Sequence, residues 1–124
     1  RRKLIITVDF ETESRDMMID TGASVSVLAR RLRDTPIVHT EALAWSADGS
    51  PLPFLGEQRA RARVGNIRFE HTFLVFASST ARLDILGLDV LAHIPLVVKM
   101  GPNTKFRTLS LNESEMCPSI YNNR

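Results

Sequence analysis

The sequence predicts a mostly β protein with many short strands and at most two short helices, in a single domain. Three observations favour this fold class. The apolar segments are short and rich in valine, isoleucine and threonine, as strands are. Residues 59–64 alternate arginine with alanine or valine, which is the two-residue period of a half-buried strand. Asp48-Gly49 lies between apolar flanks, as in the turn of a β-hairpin.

The first third of the chain predicts three strands, at residues 3–10, 16–20 and 25–28. The polar residues 11–15 separate the first two strands as a turn. Residues 29–34 are charged and predict a turn of helix, which Pro36 ends.

Two hairpins follow in the middle of the chain. Residues 44–55 form the first, with the Asp-Gly turn at its tip. Its second arm contains Pro51 and Pro53, which cannot donate ladder hydrogen bonds, so we expect this hairpin to lie at a sheet edge or to project from the body. Residues 57–76 form the second hairpin around a Gly-Asn turn.

The last part of the chain predicts three more strands, at residues 83–86, 96–100 and 108–112. Residues 88–94 predict a short helix, which Pro95 ends. We expect residues 1–102 to form the domain and residues 103–124 to form a C-terminal extension. The end of that extension, from residue 113 onward, is expected to be loosely held.

Composition excludes several classes of protein. The 124 residues suit one compact domain, and the 44% apolar and 24% charged residues exclude a chain that is disordered by default. No apolar run approaches the ~20 residues that cross a membrane, and no secretion signal is visible. The single cysteine, Cys117, excludes an internal disulfide framework and a cysteine-based zinc cluster, and it suits a reducing compartment.

The charge pattern gives little support for nucleic-acid binding. The formal net charge is only +2, and the arginines at 30–33 and 59–63 lack the aromatic residues or the clear basic stripe of a nucleic-acid-binding face. We interpret them as solvated side chains on exposed faces. We expect no nucleic-acid partner and no membrane partner.

The motif that carries chemistry is Asp20-Thr21-Gly22, at the end of an apolar strand. The carboxylate there lies in surroundings of low polarity, and Gly22 lets the backbone turn close to it, so backbone N–H groups can hold it in one orientation. A plain turn is the competing interpretation, because Asp and Gly are common in turns. Three other acids are candidates for a second carboxylate but are not followed by Thr-Gly, namely Asp9, Asp84 and Asp89.

The other polar candidates predict no separate site. The histidines lack the spacing of metal ligands, at positions 39, 71 and 93. Ser24 and Ser26 have no evident His–Asp partner set, which argues against a serine hydrolase. The sequence therefore predicts neither a metal nor a cofactor.

Two further features complete an ordered set. A hairpin with glycine near its tip, at residues 46–50, follows the Asp-Thr-Gly-Ala of residues 20–23, and the Ile-Leu-Gly of residues 85–87 precedes the predicted helix. Over residues 3–100 this set resembles the retropepsins, the aspartic proteases of retroviruses and LTR retrotransposons. The Leu-Gly-Leu-Asp-Val-Leu of residues 86–91 looks more like retrotransposon and cellular retropepsin-like domains than the lentiviral form.

The resemblance implies a single-domain acid-protease fold, with a closed β-barrel-like body, one flap hairpin and one or two short helices. Peptide hydrolysis of this kind needs two carboxylates that share one proton. This chain has one such motif, where the two-domain pepsin-like enzymes carry two. The resemblance therefore implies a symmetric homodimer with one Asp20 from each subunit at the two-fold axis.

The resemblance also implies roles for individual residues. Asp20, Thr21 and Gly22 form the catalytic motif, in which the Thr21 hydroxyl braces the loop and Gly22 accepts the substrate backbone. Further positions are implied to bind substrate, and these are Ala23, Ser24, Val27, Ala47, Asp48, Gly49, Leu83 and Ile85. The hydrophobic positions among them predict apolar substrate residues around the cleaved bond, with ordinary core packing as the competing interpretation.

The leading interpretation is a homodimeric aspartic endopeptidase that hydrolyses peptide bonds with an activated water. The resemblance implies that it processes a retroviral or retrotransposon polyprotein, in the cytoplasm or inside virus-like particles. One alternative is a retropepsin-like domain of a host protein that acts in regulatory proteolysis or in dimerisation. Another, from a different class, is a small basic β domain that binds nucleic acid, with Asp-Thr-Gly only as a turn.

The two ends of the chain depart from the family. Retropepsin dimers generally join through terminal strands, and residues 1–3 are too short and too charged to supply one. An exposed strand edge needs a partner. We therefore expect residues 105–112 to fold back, or to cross to the partner, as an interface strand. The competing interpretation is a linker to the next segment of a polyprotein.

Overall fold

The structure, a computed structural model, describes residues 4–46, 48–77, 83–100 and 106–111, and of residues 96–100 and 106–111 it describes the backbone. Within these ranges the chain forms strands and one short helix, in the order β1 (Ile5–Phe10), β2 (Ser14–Ile19), β3 (Val27–Leu28), β4 (Phe54–Val64), β5 (Ile67–Phe76), β6 (Asp84–Leu86), α1 (Leu88–Leu91), β7 (Leu96–Met100) and β8 (Phe106–Leu111).

Six of the strands close into a barrel, in the order β1-β2-β6-β3-β5-β4. β2 pairs with β6 and β3 pairs with β5 in parallel, and the other neighbours are antiparallel. β4 returns to β1 through the pairs Asp9↔Arg63 and Phe10↔Ala62, which closes the barrel. The predicted fold class, mostly β with a closed barrel and few helices, is confirmed.

The barrel is filled by side chains that alternate along its strands. Val8 and Phe10 of β1 are buried, whereas Thr7 is exposed. The rings of Phe10 and Phe73 meet edge to face, with 5.5 Å between their centroids. Burial of each such side chain contributes about 1.5–3 kcal/mol to folding. The largest fully buried apolar side chains come from β2, β3, β5, β6 and one loop, and they are Phe73, Met17, Leu28, Leu32 and Leu86.

The alternation predicted for residues 59–64 is confirmed. Ala62 and Val64 are buried in the barrel, and the arginines between them are exposed. Each arginine of this face lies within ion-pair distance of a carboxylate, with Arg59–Glu70 at 3.2 Å, Arg61–Glu11 at 3.8 Å and Arg63–Asp9 at 2.6 Å. The exposed face of β4 is therefore a surface of paired charges rather than a bare basic stripe.

The helical turn expected at residues 29–34 is wrong, because no helix covers this segment of the described chain. The Arg15 guanidinium donates to two carbonyl oxygens of the segment, at 3.0 and 2.9 Å. The buried Gln58 amide binds Leu32 twice, accepting from its N–H at 2.7 Å and donating to its oxygen at 3.1 Å. Since these side chains take backbone groups that a helix would pair internally, the segment runs as an irregular loop.

Several boundaries also differ from expectation. β2 begins at Ser14, inside the segment expected as a turn, because this residue pairs with Asp9 of β1. Helix α1 is only four residues long, and residues 92–94 form turns instead of helix. The arms of the hairpin at residues 44–55 make one bridge, Trp45↔Pro51, instead of two strands. The prolines of the second arm account for this, because they have no N–H to donate.

β7 and β8 pair with each other as an antiparallel two-stranded sheet that is separate from the barrel order. Residues 106–111 thus fold back onto residues 96–100 within one chain. That this strand lies at the interface between two copies stays a prediction. The division of the chain into a domain and an extension after residue 102 also stays a prediction. The tail from residue 113, which was expected to be loosely held, lies outside the described residues. Within the described ranges no helix has the length and apolar character that a membrane crossing requires.

Candidate active site

Asp20 directly follows β2, at the point where the chain leaves the barrel wall. Its N–H donates to the oxygen of Leu86 at 3.0 Å, which extends the pairing of β2 with β6 by one residue. The Gly22 N–H donates to Asp20 Oδ1 at 2.9 Å. The Ala23 N–H donates to the backbone oxygen of Asp20 at 3.1 Å. The turn after β2 therefore fixes the orientation of the Asp20 carboxylate.

The turn between β6 and α1 closes against the Asp20 loop, defined as residues 20–26. The Leu88 N–H donates to the oxygen of Ala23 at 2.8 Å. A Cβ atom at Gly87 would lie 2.5 Å from the oxygen of Val25 and 2.8 Å from that of Ala23. Only glycine allows so close an approach of two backbones. The Ile-Leu-Gly motif thus packs directly against the Asp-Thr-Gly motif.

A buried serine joins the Asp20 loop to α1. The Ser26 hydroxyl donates to Asp89 Oδ1 at 2.6 Å and accepts from the Gly87 N–H at 2.9 Å. The Ser26 N–H donates to Asp89 Oδ2 at 3.0 Å, and Nε2 of His71 lies 2.7 Å from the same oxygen. Burial alone raises the pKa of Asp89, but the hydrogen bonds from His71 and Ser26 outweigh it and hold this pKa below its usual value.

The fold thus brings a serine, a histidine and an aspartate together, although the sequence showed no partner set for Ser26. Their order differs from that of a hydrolytic triad, because His71 contacts Asp89 and not the serine. Ser26 is also fully buried. A serine nucleophile needs a neighbouring base and access to substrate. The cluster therefore fixes the backbone at the end of the Asp20 loop. Its geometry does not suit a serine hydrolase.

A cleft of about 600 Å³, here called the Asp20 cleft, opens between the Asp20 loop and the hairpin of residues 44–55. Such a volume falls in the range of ligand-binding sites. Asp20 is the only carboxylate among the described residues that line it. The lining is otherwise mostly apolar, and it consists of Asp20, Gly22, Ala23, Ser24, Val25, Val27, Leu43, Ala44, Trp45, Ser46, Leu52, Phe76 and Ile85.

The hairpin of residues 44–55, here called the flap hairpin, has a tightly bonded tip. The Ser46 N–H donates to the oxygen of Ser50 at 2.8 Å. The Asp48 carboxylate accepts from the Ser46 hydroxyl at 2.5 Å and from the Ser50 N–H at 2.9 Å, and these bonds lower the pKa of Asp48 to about 2. Gly49 has a φ of +88°, which favours glycine at this position of the turn.

The residues predicted for the site divide into two groups. Those that line the Asp20 cleft are Asp20, Gly22, Ala23, Ser24, Val27 and Ile85. The others do not line it within the described chain. Thr21 is exposed beside it, Asp48 and Gly49 form the flap tip, and Leu83 is half-buried just before β6. Ala47 lies outside the described residues. The substrate-binding roles of all these residues stay predictions.

Sequence reasoning missed much of the opposite wall of the cleft. That wall comes from the base of the flap hairpin and from the end of β5, through Leu43, Trp45, Leu52 and Phe76. Leu43 and Trp45 are exposed apolar side chains. The sequence offered one indication of this wall, because Leu43 and Leu52 lie on either side of the predicted flap tip.

None of the three other candidate acids lines the Asp20 cleft in the described chain. Asp84 is buried, accepts from the Ala29 N–H at 2.6 Å and lies 3.3 Å from Nη1 of Arg15. Asp9 binds Arg63, and Asp89 binds the serine and histidine described above. Among the residues that the structure describes, no group of three or more His, Cys, Asp or Glu side chains is arranged to hold a metal ion.

Comparison with known proteins gives a structural likeness. No protein-family model matches the sequence, and no curated protein matches it. Among solved structures, the chain is similar to the EIAV protease complexed with the inhibitor HBY-793. The likeness has a TM-score of 0.62 at 19% identity, over 74% of this chain and 88% of that chain. At this identity the likeness shows the fold, which is the retropepsin-like fold of a retroviral protease.

Proposed function

We propose that this chain is an aspartic endopeptidase that works as a homodimer, with one Asp20 from each subunit forming the catalytic pair. One observation carries the proposal. Asp20 is the single carboxylate of the described cleft lining, and the Gly22 N–H holds it at 2.9 Å in a fixed orientation. In our proposal the second carboxylate of the pair comes from a second copy of this chain, which two-fold symmetry places opposite the first.

The proposed mechanism uses the two carboxylates in opposite protonation states. Like charges about 3 Å apart do not both ionise, so the pair holds one proton at the working pH. The ionised Asp20 takes a proton from water, and the water oxygen attacks the peptide carbonyl carbon. The protonated Asp20 gives its proton to the carbonyl oxygen. Breakdown of the tetrahedral intermediate transfers a proton to the leaving nitrogen and restores the shared proton.

The shape and lining of the Asp20 cleft support a peptide substrate with apolar side chains at the cleaved bond. Val27 and Ile85 lie on one wall, and Trp45, Leu52 and Phe76 lie on the other. Burial of a large apolar side chain against such walls contributes about 1.5–3 kcal/mol. In our proposal the substrate is a retroviral or retrotransposon polyprotein, cleaved in the cytoplasm or inside virus-like particles.

Two features of the single chain support a partner copy beside Asp20. Thr21 is exposed at the edge of the cleft, where its hydroxyl is free to reach across to a second loop. Leu88, which directly follows the Ile-Leu-Gly motif, is a large apolar side chain that is 44% exposed. By contrast, the paired arginines of β4 give no added support to the nucleic-acid-binding alternative.

The test compares Asp20→Asn with Asp16→Asn, four residues earlier at an exposed position of β2. Purified proteins are assayed for peptide cleavage between pH 4 and 7, with and without pepstatin, and by sedimentation. We expect Asp20→Asn to lose cleavage and keep its dimer, because the amide preserves shape but removes the acid–base pair. Asp16→Asn should retain activity. Cleavage by Asp20→Asn at the wild-type rate would show that another group is catalytic.

A further inference from the structure

The bonds around Asp89 form a continuous path from β5 to the Asp20 loop. His71 on β5 contacts Asp89, which binds both the hydroxyl and the N–H of Ser26. The Ser26 hydroxyl in turn accepts from the Gly87 N–H. The Asp89 carboxylate therefore binds the last residue of the Asp20 loop through two groups at once. Movement of this carboxylate must move the loop end or break a partly buried hydrogen bond, which is unfavourable.

The same path reaches Asp20 through the backbone of β6. Gly87 directly follows Leu86, whose oxygen accepts from the Asp20 N–H at 3.0 Å. The backbones of Gly87 and Val25 approach so closely that a Cβ atom at Gly87 would lie 2.5 Å from the oxygen of Val25. Asp20 is thus held at its own N–H by β6, and its loop is held at residue 26 by Asp89.

We propose that His71 is a positioning residue for Asp20, and that the charged form of its imidazole tightens the Asp20 loop through Asp89. The inference rests on the proposed function above, which it deepens. His71 does not line the Asp20 cleft, so it acts on the reaction through Asp89 and Ser26.

The chemistry of the contact between His71 and Asp89 explains why a charged imidazole tightens the loop. The Asp89 carboxylate is held in its ionised form by its donors, so Nε2 of His71 must donate to it. Both the neutral Nε2–H form and the imidazolium can do so, but a bond between two ions is shorter and about twice as strong. The His71 and Asp89 side chains are each 23% exposed, so solvent protons reach the pair.

Other charged groups face the same region, and their effects must be distinguished from that of His71. A hollow of about 230 Å³ between β5 and α1 is lined by His71 and Asp89, and by three more ionisable groups. Two of these, Arg68 and Glu70, are neighbours on β5, and the third is His93 after α1. The residue of β4 that pairs opposite His71 is Ala60, which carries no charge. His93 is the second histidine of the hollow and is exposed, so it serves as the matched control.

The kinetic test uses His71→Gln, which keeps a neutral donor, His71→Leu, which removes it, and His93→Gln. We expect His71→Leu to lower kcat on the order of 10- to 100-fold with little change in KM, because small displacements of a catalytic group have effects of that size. His71→Gln should recover most of kcat at pH 8. The ratio of wild-type to His71→Gln kcat should rise several-fold between pH 8 and 5, because glutamine cannot form the bond between two ions. A constant ratio, or the same rise for His93→Gln, overturns the inference.

A second readout does not depend on proteolysis and separates the inference from the proposed function. Amide NMR of the wild-type protein follows the N–H groups of Ser26, Gly87 and Gly22 between pH 5 and 8. We expect them to shift together in the wild type and in His93→Gln, and to stay constant in His71→Gln. Constant shifts in the wild type overturn the inference whatever the activity. Loss of the proposed protease function, with these shifts present, leaves His71 as a positioning residue of the loop alone.

Discussion

Arg15 illustrates how single side chains hold the barrel together. Its Nε lies 2.6 Å from Glu13, its Nη1 lies 3.3 Å from Asp84, and all three side chains are nearly buried. Burial alone raises the pKa of Glu13, but bonds from the Arg33 N–H and from the Arg15 guanidinium outweigh it and lower this pKa. Burial lowers the pKa of Arg15, and its two carboxylate partners outweigh it and raise this pKa. The network therefore ties β2 to β6 and to the loop at Arg33.

We predict that Glu13→Gln lowers the free energy of unfolding at pH 7 by about 1–3 kcal/mol, because it leaves a buried guanidinium short of one partner. The folded-state pKa of Glu13 is lowered, so its stabilisation is present above the unfolded value of ~4.3 and is lost as pH falls through the folded value. The difference between variant and wild type should thus shrink as the pH falls below ~4.3. Urea unfolding at several pH values measures it.

The matched control for this measurement is Glu41→Gln. The Glu41 side chain is 92% exposed, although it pairs with His39, and such surface changes stay within about 0.5 kcal/mol. If Glu13→Gln lowers the free energy of unfolding by the same amount at every acidic pH as at pH 7, the role assigned to the Glu13 charge is contradicted.

For single residues, the sequence was informative only where the interacting groups lie close together in the chain. Asp20 and Gly22 lie two residues apart, and the bond between them follows from one short motif. The partners of Asp89 come from β5 and from the Asp20 loop, which are far from it in the chain. No local pattern marks such contacts, because they depend on which strands become neighbours in the barrel.

At the scale of elements, the flap hairpin differs most from the barrel strands. Its arms share one bridge, and its tip depends on the Asp48 carboxylate and two backbone bonds. The neighbouring β4 and β5 pair along ten positions. Elements with few backbone bonds open at lower free energy than long paired strands.

We predict that a bound peptide-like inhibitor such as pepstatin slows amide hydrogen exchange in the flap hairpin, at Ser46, Gly49 and Leu52. The slowing should be about tenfold or more, since a factor of ten corresponds to about 1.4 kcal/mol of added closing free energy. Closure over a bound peptide gives the reason, because lids exclude water from the site that they cover. The amides of β4 and β5 that lie away from Phe76 and the cleft are the internal reference and should not change. Equal slowing in both regions, or none in the flap hairpin, would exclude closure.

Elements with a clear period were predicted well, and irregular ones were not. The alternation in residues 59–64 is a direct consequence of strand geometry, and the structure confirms it. β3 is only two residues long, so its bounds cannot be taken from a periodic pattern. The segment at residues 29–34 had the composition of a helical turn, but Arg15 and Gln58 bind its backbone from other strands. Tertiary contacts of this kind override local propensity.

At the scale of the whole molecule, our proposal makes the Asp20 cleft one half of a catalytic pair. A closed barrel has no free sheet edges of its own, so the exposed Asp20 side of the chain is the part that a second copy must cover in our proposal. The shared site then belongs to neither subunit alone, and activity depends on the concentration of the chain.

We predict that mixing wild-type protein with an equal amount of Asp20→Asn lowers wild-type activity to about half, once subunits have exchanged, because random two-fold pairing gives heterodimers with a single Asp20. Peptide cleavage measured before and after exchange tests this. An equal amount of an unrelated protein should have no effect. Activity that stays at the wild-type level after exchange would indicate a catalyst that works as a monomer.

Trp45 is the one tryptophan in the chain, and it lies on the wall of the Asp20 cleft with 58% of its surface exposed. All indole emission from this protein therefore arises at the mouth of that cleft. The wavelength of this emission depends on how much water surrounds the ring, and an occupant of the cleft displaces that water. The protein thus contains its own optical probe, and the emission wavelength of Trp45 reports occupancy of the cleft without any label.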